Sequence, residues 1–118
     1  MTEDNVVSIW FGNFETEEKF KEFIAEKYDD EGDVLSAFTT SFCINYIDED
    51  FQETLFQKVI TIDDLSQFSY AESFIDKINE DILRQSNCVI FVYDYNYSGK
   101  IKSNNNLNFI GTYKYKKE

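Results

Sequence analysis

A chain of 118 residues carrying twenty-three acidic and eleven basic side chains, with a formal charge of −12 and no histidine, narrows the function classes sharply. Such a body repels nucleic-acid phosphates and anionic lipid headgroups, attracts cationic partners, and lacks the usual proton shuttle of neutral-pH catalysis. Twelve phenylalanines, eight tyrosines and one tryptophan supply the core of one domain spanning 1–118, so the charge does not imply disorder.

Met1 to Asn5 is polar and acidic, unlike an export signal, and no apolar run approaches the roughly twenty residues of a membrane span. A cytoplasmic protein is therefore expected. Val6 to Phe11 is a near-continuous apolar segment closed by Gly12 and Asn13, the pattern of a strand buried on both faces. Thr16 is placed to cap a helix in which Glu17 and Glu18 occupy the first turn, and Phe20, Phe23, Ile24 and Tyr28 recur at helical spacing. The acidic turn Asp29, Asp30, Glu31 and Asp33, with Gly32 inside it, ends that helix.

Val34 to Phe42 reads as a second helix with Leu35, Phe38 and Phe42 on one stripe, and Cys43 to Ile47 leads to a second acidic cluster, Asp48, Glu49, Asp50 and Glu53. Phe51 to Ile60 reads as a strand, and Thr61 through Asp64 as a cap for one helical turn. Ser69 and Glu72 have capping-box spacing before a helix whose Ala71, Phe74, Ile75, Ile78 and Ile82 share a face. Cys88 to Tyr95 is apolar and rich in β-branched and aromatic residues, the signature of a central strand. Asn96 to Gly99 offers hairpin chemistry, with a short strand from Lys100 running back antiparallel. After a turn at Asn104 to Asn106, Leu107, Phe109, Tyr113 and Tyr115 alternate with more polar residues in a last strand. The expected class is α+β: a mainly antiparallel sheet of four to five strands with two to three helices packed on one face.

Cys43 and Cys88 lie forty-five residues apart, with neither zinc-site nor redox spacing, and read as reduced, buried small side chains. The Asp29 to Asp33 run lacks the alternating ligands and closing glutamate of a calcium loop, so no metal site is expected. No nucleophile elbow, phosphate-cradling glycine loop or cofactor fingerprint occurs, and no catalytic residue or cofactor is assigned.

The charge is uneven: residues 1–94 hold twenty-two acids and six bases, and the last twenty-four hold five lysines and Glu118. Neither acidic cluster contains a lysine or arginine, so Asp29, Asp30, Glu31, Asp33, Asp48, Glu49, Asp50 and Glu53 form the expected partner-binding surface, with Tyr95 and Tyr97 as aromatic anchors. The plainer reading makes the clusters solvated turns and Tyr93, Tyr95 and Tyr97 one packed strand face. Trp10, Gly12 and Phe14 read as core and turn.

The string Ser8, Ile9, Trp10, Phe11, Gly12, Asn13, Phe14, followed by an acidic helix, resembles the opening of the immunity protein 22 family, which accompanies toxins in bacterial polymorphic toxin systems. The resemblance continues through Phe38 and Phe42, the turn with Asp48, Asp50, Phe51 and Glu53, then Ser69, Tyr70, Ser73 and Phe74. It closes with an apolar strand and Phe109, Ile110, Gly111 and Thr112. Cys43 stands where relatives would carry glycine or another small residue. The resemblance implies a small cytoplasmic protein that binds and neutralises a cognate toxin domain, commonly a nuclease. Electrostatics agrees, because a nuclease presents a cationic cleft to phosphates and an acidic protein can occupy it. Two other classes compete: a DNA-mimicking inhibitor or acidic adaptor of some other basic protein, and a small hydrolase using paired carboxylates.

Overall fold

The apolar segment near the amino terminus becomes the middle of a sheet. The structure is a computed structural model that describes residues 2–28, 30–32, 34–44, 49–104 and 106–116. Strand β1 (Thr2–Gly12) lies at the centre, flanked antiparallel by β5 (Cys88–Tyr95) and β7 (Leu107–Lys114). Outside these run β4 (Gln52–Phe56), paired with β5, and the short β6 (Ser103–Asn104), paired with β7, giving the order β4-β5-β1-β7-β6. A separate hairpin joins β2 (Lys27–Tyr28) to β3 (Val34–Leu35).

A central strand with apolar residues at nearly every position requires a layer on each side. On one face Val7, Ile9 and Phe11 pack with Val89, Phe91 and Tyr93. On the other, Trp10 packs with Cys88, Ile90 and Val92. The helices divide accordingly. Helices α1 (Glu17–Ile24) and α2 (Ala37–Ser41) supply Phe20 and Phe38 to the Trp10 side, joined by Phe42. Helix α3 (Ile62–Leu65), two 3-10 turns (Ala71–Ser73 and Ile75–Lys77) and α4 (Glu80–Arg84) supply Leu65, Ala71 and Leu83 to the Phe91 side. The fold is α+β with a mainly antiparallel sheet, as the sequence indicates. Its helices cover both faces, where the sequence reading put them on one.

Two of the local cap signals hold. Thr16 accepts the Lys19 N–H, and Thr61 and Asp64 cap each other reciprocally at α3. Other boundaries differ for identifiable reasons. The first helix stops at Ile24, because Ala25 is extended, and Tyr28 lies in β2, 76 % exposed. Val34 and Leu35 form β3, and Ser36, in a reciprocal capping box with Thr39, delays the second helix to Ala37. The single helix expected across Ala71 to Ile82 is interrupted twice. Phe74 (φ −137°) and the extended Ile78 split it into three short pieces, the last restarted by the Asn79 cap. The short strand after Gly99 pairs with β7 and not β5, whose two sides are already taken by β1 and β4. Cys43 is exposed with a left-handed φ of 57°, whereas Cys88 is buried; both are free thiols. That φ is the conformation glycine adopts at least cost.

Candidate partner-binding surface

Strand β4 forms one margin of the sheet, and its backbone geometry follows from one bond. The Gln57 N–H donates to the Asn87 carbonyl at 2.9 Å, just beyond the Phe56–Cys88 pair. Antiparallel alternation from that bond turns the N–H and C=O groups of Leu55 and Glu53 toward β5 and those of Gln52, Thr54 and Phe56 outward. No strand among the described residues pairs with that outer side.

The side chains alternate as well. Glu53 and Leu55 lie on the Phe91 face, and Phe56 packs on the Trp10 face. Between β4 and the α3 region runs a groove of about 430 Å³, with Leu55 and Phe68 as its apolar lining and Glu53, Gln57, Asp64 and Gln67 as its polar lining. Asp64 accepts the Thr61 N–H at 2.8 Å and the Gln57 amide at 2.8 Å. The Thr61 N–H above all holds its carboxyl below the usual carboxylate range. On the other face of β4, Glu26 and Leu35 share a crevice with Gln52. This places the β2–β3 hairpin, with Asp30 and Glu31 in its turn, beside the start of β4.

Glu53 also belongs to a network of tyrosines. Its carboxylate accepts the Ser69 N–H at 2.9 Å and the Ser69 hydroxyl. The Tyr93 hydroxyl lies 3.3 Å from it and donates to the Ser69 carbonyl at 2.7 Å. Burial, and then the Glu53 charge, push the Tyr93 phenol well above its ordinary value. Tyr70, 42 % exposed, meets Tyr93 edge-on and stacks on Tyr115 at 4.9 Å. The Tyr115 hydroxyl donates to Asp94, which also accepts the Asn5 N–H at 2.9 Å. Asn5, Tyr70 and Asp94 all have left-handed φ, at 64°, 58° and 58°. Asparagine and aspartate tolerate that conformation; a tyrosine held there carries strain, which the two ring contacts offset.

Residues 7–116 match the family described as Immunity protein 22. The chain belongs to that family. No curated protein and no solved structure matches it. Membership supports an immunity function and implies the role of an inhibitor that binds a cognate toxin. Among the described residues, no helix of this Immunity protein 22 chain is long and apolar enough to cross a membrane.

Of the acidic residues singled out from the sequence, Asp30 and Glu31 lie exposed in the β2–β3 turn, and Asp50 lies exposed in a 3-10 turn (Glu49–Phe51) leading into β4. Asp29, Asp33 and Asp48 lie outside the described residues, as does the side chain of Glu49. Glu53 is half-buried and engaged by Ser69. The two aromatic candidates occupy core positions to different degrees. Tyr95 is half-buried against the Trp10 cluster. Tyr97 is 5 % exposed, donates its hydroxyl to the Phe42 and Ile101 carbonyls at 3.1 and 2.8 Å, and packs its ring on Trp10 and Phe109. Its surface is spent inside the chain. The groove residues Gln57, Asp64, Gln67 and Phe68 were not legible as a site. Thr61 and Asp64 stood out only as a cap, and their proximity to β4 depends on tertiary packing.

Proposed function

We propose that this immunity protein acts as a single domain that neutralises a cognate toxin, a nuclease, by docking its acidic surface on the toxin's cationic cleft. The family match over residues 7–116 carries the reading. The charge of −12 supports its electrostatic part, as does the acid-lined margin at β4. A nuclease must be electropositive where it holds phosphate, and complementary fields raise association rates by about ten- to a thousandfold. Speed suits an antidote that works in the cytoplasm alongside the genome it protects. The protein performs no chemistry of its own in this reading and needs neither cofactor nor nucleic acid.

Co-expression with the cognate toxin domain is the direct test. Cells are expected to survive, and a one-to-one complex should purify whose association slows as salt is raised. Survival without a complex would overturn direct binding and point to an enzymatic antidote. A complex whose formation ignores salt would remove the electrostatic part.

A further inference from the structure

We infer that the toxin completes the sheet: an extended, basic strand of the toxin domain pairs with the outer edge of β4, with alternate lysine or arginine side chains laid in the Glu53–Asp64 groove. The inference rests on the proposed function and adds the place and manner of docking.

Sheet margins offer unpaired backbone groups to any passing strand, and proteins blunt them with lysine, proline, bulges or very short strands. The opposite margin follows that practice: β6 is two residues long, and beyond it β7 carries a register shift at Phe109–Gly111 and ends in Lys114. Strand β4 does not. Its sequence Gln52, Glu53, Thr54, Leu55, Phe56 contains no lysine and no proline, and it pairs with β5 without a break in register. Its one charged side chain, Glu53, lies on the Phe91 face, where its carboxylate accepts the Ser69 N–H and hydroxyl. Gln52, Thr54 and Phe56 therefore present three sets of N–H and C=O groups at regular spacing.

Charge selects the occupant. Glu53 and Asp64 line the groove, Glu26 sits across the strand, and Asp50 lies just before it. A second copy of this chain, itself at −12, is repelled from such a margin, so the edge is protected against self-pairing and open to a cation-bearing strand. The groove also fits the chemistry of one side-chain class. Leu55 and Phe68 can take the apolar stem of lysine or arginine while Glu53 and Asp64 take the charged end. An added strand alternates its side chains, so every second residue falls on this groove, and the backbone bonds supply affinity without constraining the residues between.

The test follows the three outward amides. Hydrogen exchange of the protein alone and bound to its cognate toxin domain should show Gln52, Thr54 and Phe56 slowing at least tenfold on binding, with the β6 amides unchanged. The Thr54→Pro variant removes one outward donor at a position where an edge strand tolerates proline. It should melt near the parent temperature yet bind the toxin at least tenfold more weakly, whereas Lys102→Ala on the far margin should bind as the parent does. A toxin complex in which those three amides exchange as in the free protein would overturn the inference and leave the proposed function standing. Absence of any complex overturns the function itself. Should Thr54→Pro fail to fold, the exchange measurement on the unsubstituted protein decides alone.

Discussion

Where β6 runs the chain covers the start of β7, whereas beyond β4 no strand among the described residues follows. On the covered side, the loop after β5 folds back so that the Tyr97 hydroxyl reaches the Phe42 and Ile101 carbonyls. There the Lys102 carbonyl accepts the Phe109 N–H at 2.7 Å, and the Lys102 ammonium lies 5.1 Å from the centre of the Phe109 ring. On the other side, five residues end the sheet beside an acid-lined groove. The covered margin is made of contacts within one chain, which stabilise it whether or not a partner exists. The β4 margin has outward backbone groups that no strand among the described residues pairs, so they add no strand–strand bonds to folding. Damage to the first should therefore appear as lost stability, and damage to the second as lost binding.

Trp10→Ala should give the largest effect. The ring is fully buried, 4.9 Å from Phe38, 5.3 Å from Tyr97 and 5.1 Å from Phe109, and so joins the central strand to the covered margin. Its indole N–H has no hydrogen-bond partner among the described residues, so the expected loss is of packing. Chemical denaturation should show a loss of about 3–5 kcal/mol. Gly12→Ala comes next. A Cβ there would stand 2.2 Å from the Asn106 carbonyl oxygen and 2.7 Å from Leu107, so β7 must shift away from β1 at a cost of about 1–3 kcal/mol. An unchanged denaturation midpoint for either variant would mean that the covered margin contributes less than its contacts imply.

Glu53→Ala sharpens the comparison because Glu53 belongs to both sides of it. Its removal leaves the Ser69 N–H without its carboxylate partner, which should cost about 1–3 kcal/mol, and it takes one charge from the groove, which should also slow toxin capture. A set of exposed acids changed together, Asp30→Asn, Glu31→Gln and Asp50→Asn, takes three charges from the surface around β4 without touching Glu53. Its mark is a slower association rate with a shallower salt dependence. Unchanged kinetics for that triple variant would move the docking surface elsewhere.

How much of this could be read from the sequence depended on the distance between interacting partners. The strand around Trp10 was legible because burial on both faces writes a continuous apolar run, and Thr16 and Thr61 were legible because a cap acts across three residues. Ser69 and Glu72 showed the same spacing and misled. The partner of Ser69 is Glu53, sixteen residues back, and the left-handed Tyr70 that follows admits no regular helix start. The acidic residues were legible as composition. That Glu53 sits on a margin strand was not, because strand order is set by pairings such as Val7–Tyr93 and Val7–Tyr113 that join distant segments. The burial of Tyr97 was hidden for the same reason: strand alternation gives its face but not the Phe42 carbonyl that fixes it.

The smallest effect at neutral pH, and the one that tests the Glu53 network without a substitution, lies on the alkaline side. Burial raises the phenols of Tyr93 and Tyr115, with the neighbouring carboxylates of Glu53 and Asp94 pushing in the same direction. A group whose native pKa is raised contributes stability that is complete below its unfolded value, about 10 for tyrosine, and is lost as pH rises above it. The native state then holds protons that the unfolded chain has released, so the melting temperature should be flat from pH 7 to 9 and fall beyond about pH 10. Absorbance at tyrosinate wavelengths should show these two ionising only as the fold opens. Early, reversible ionisation of every tyrosine in a protein that stays folded would show that the Glu53 and Asp94 ends of the sheet are open to water, and that the contrast between the two margins is smaller than their geometry indicates.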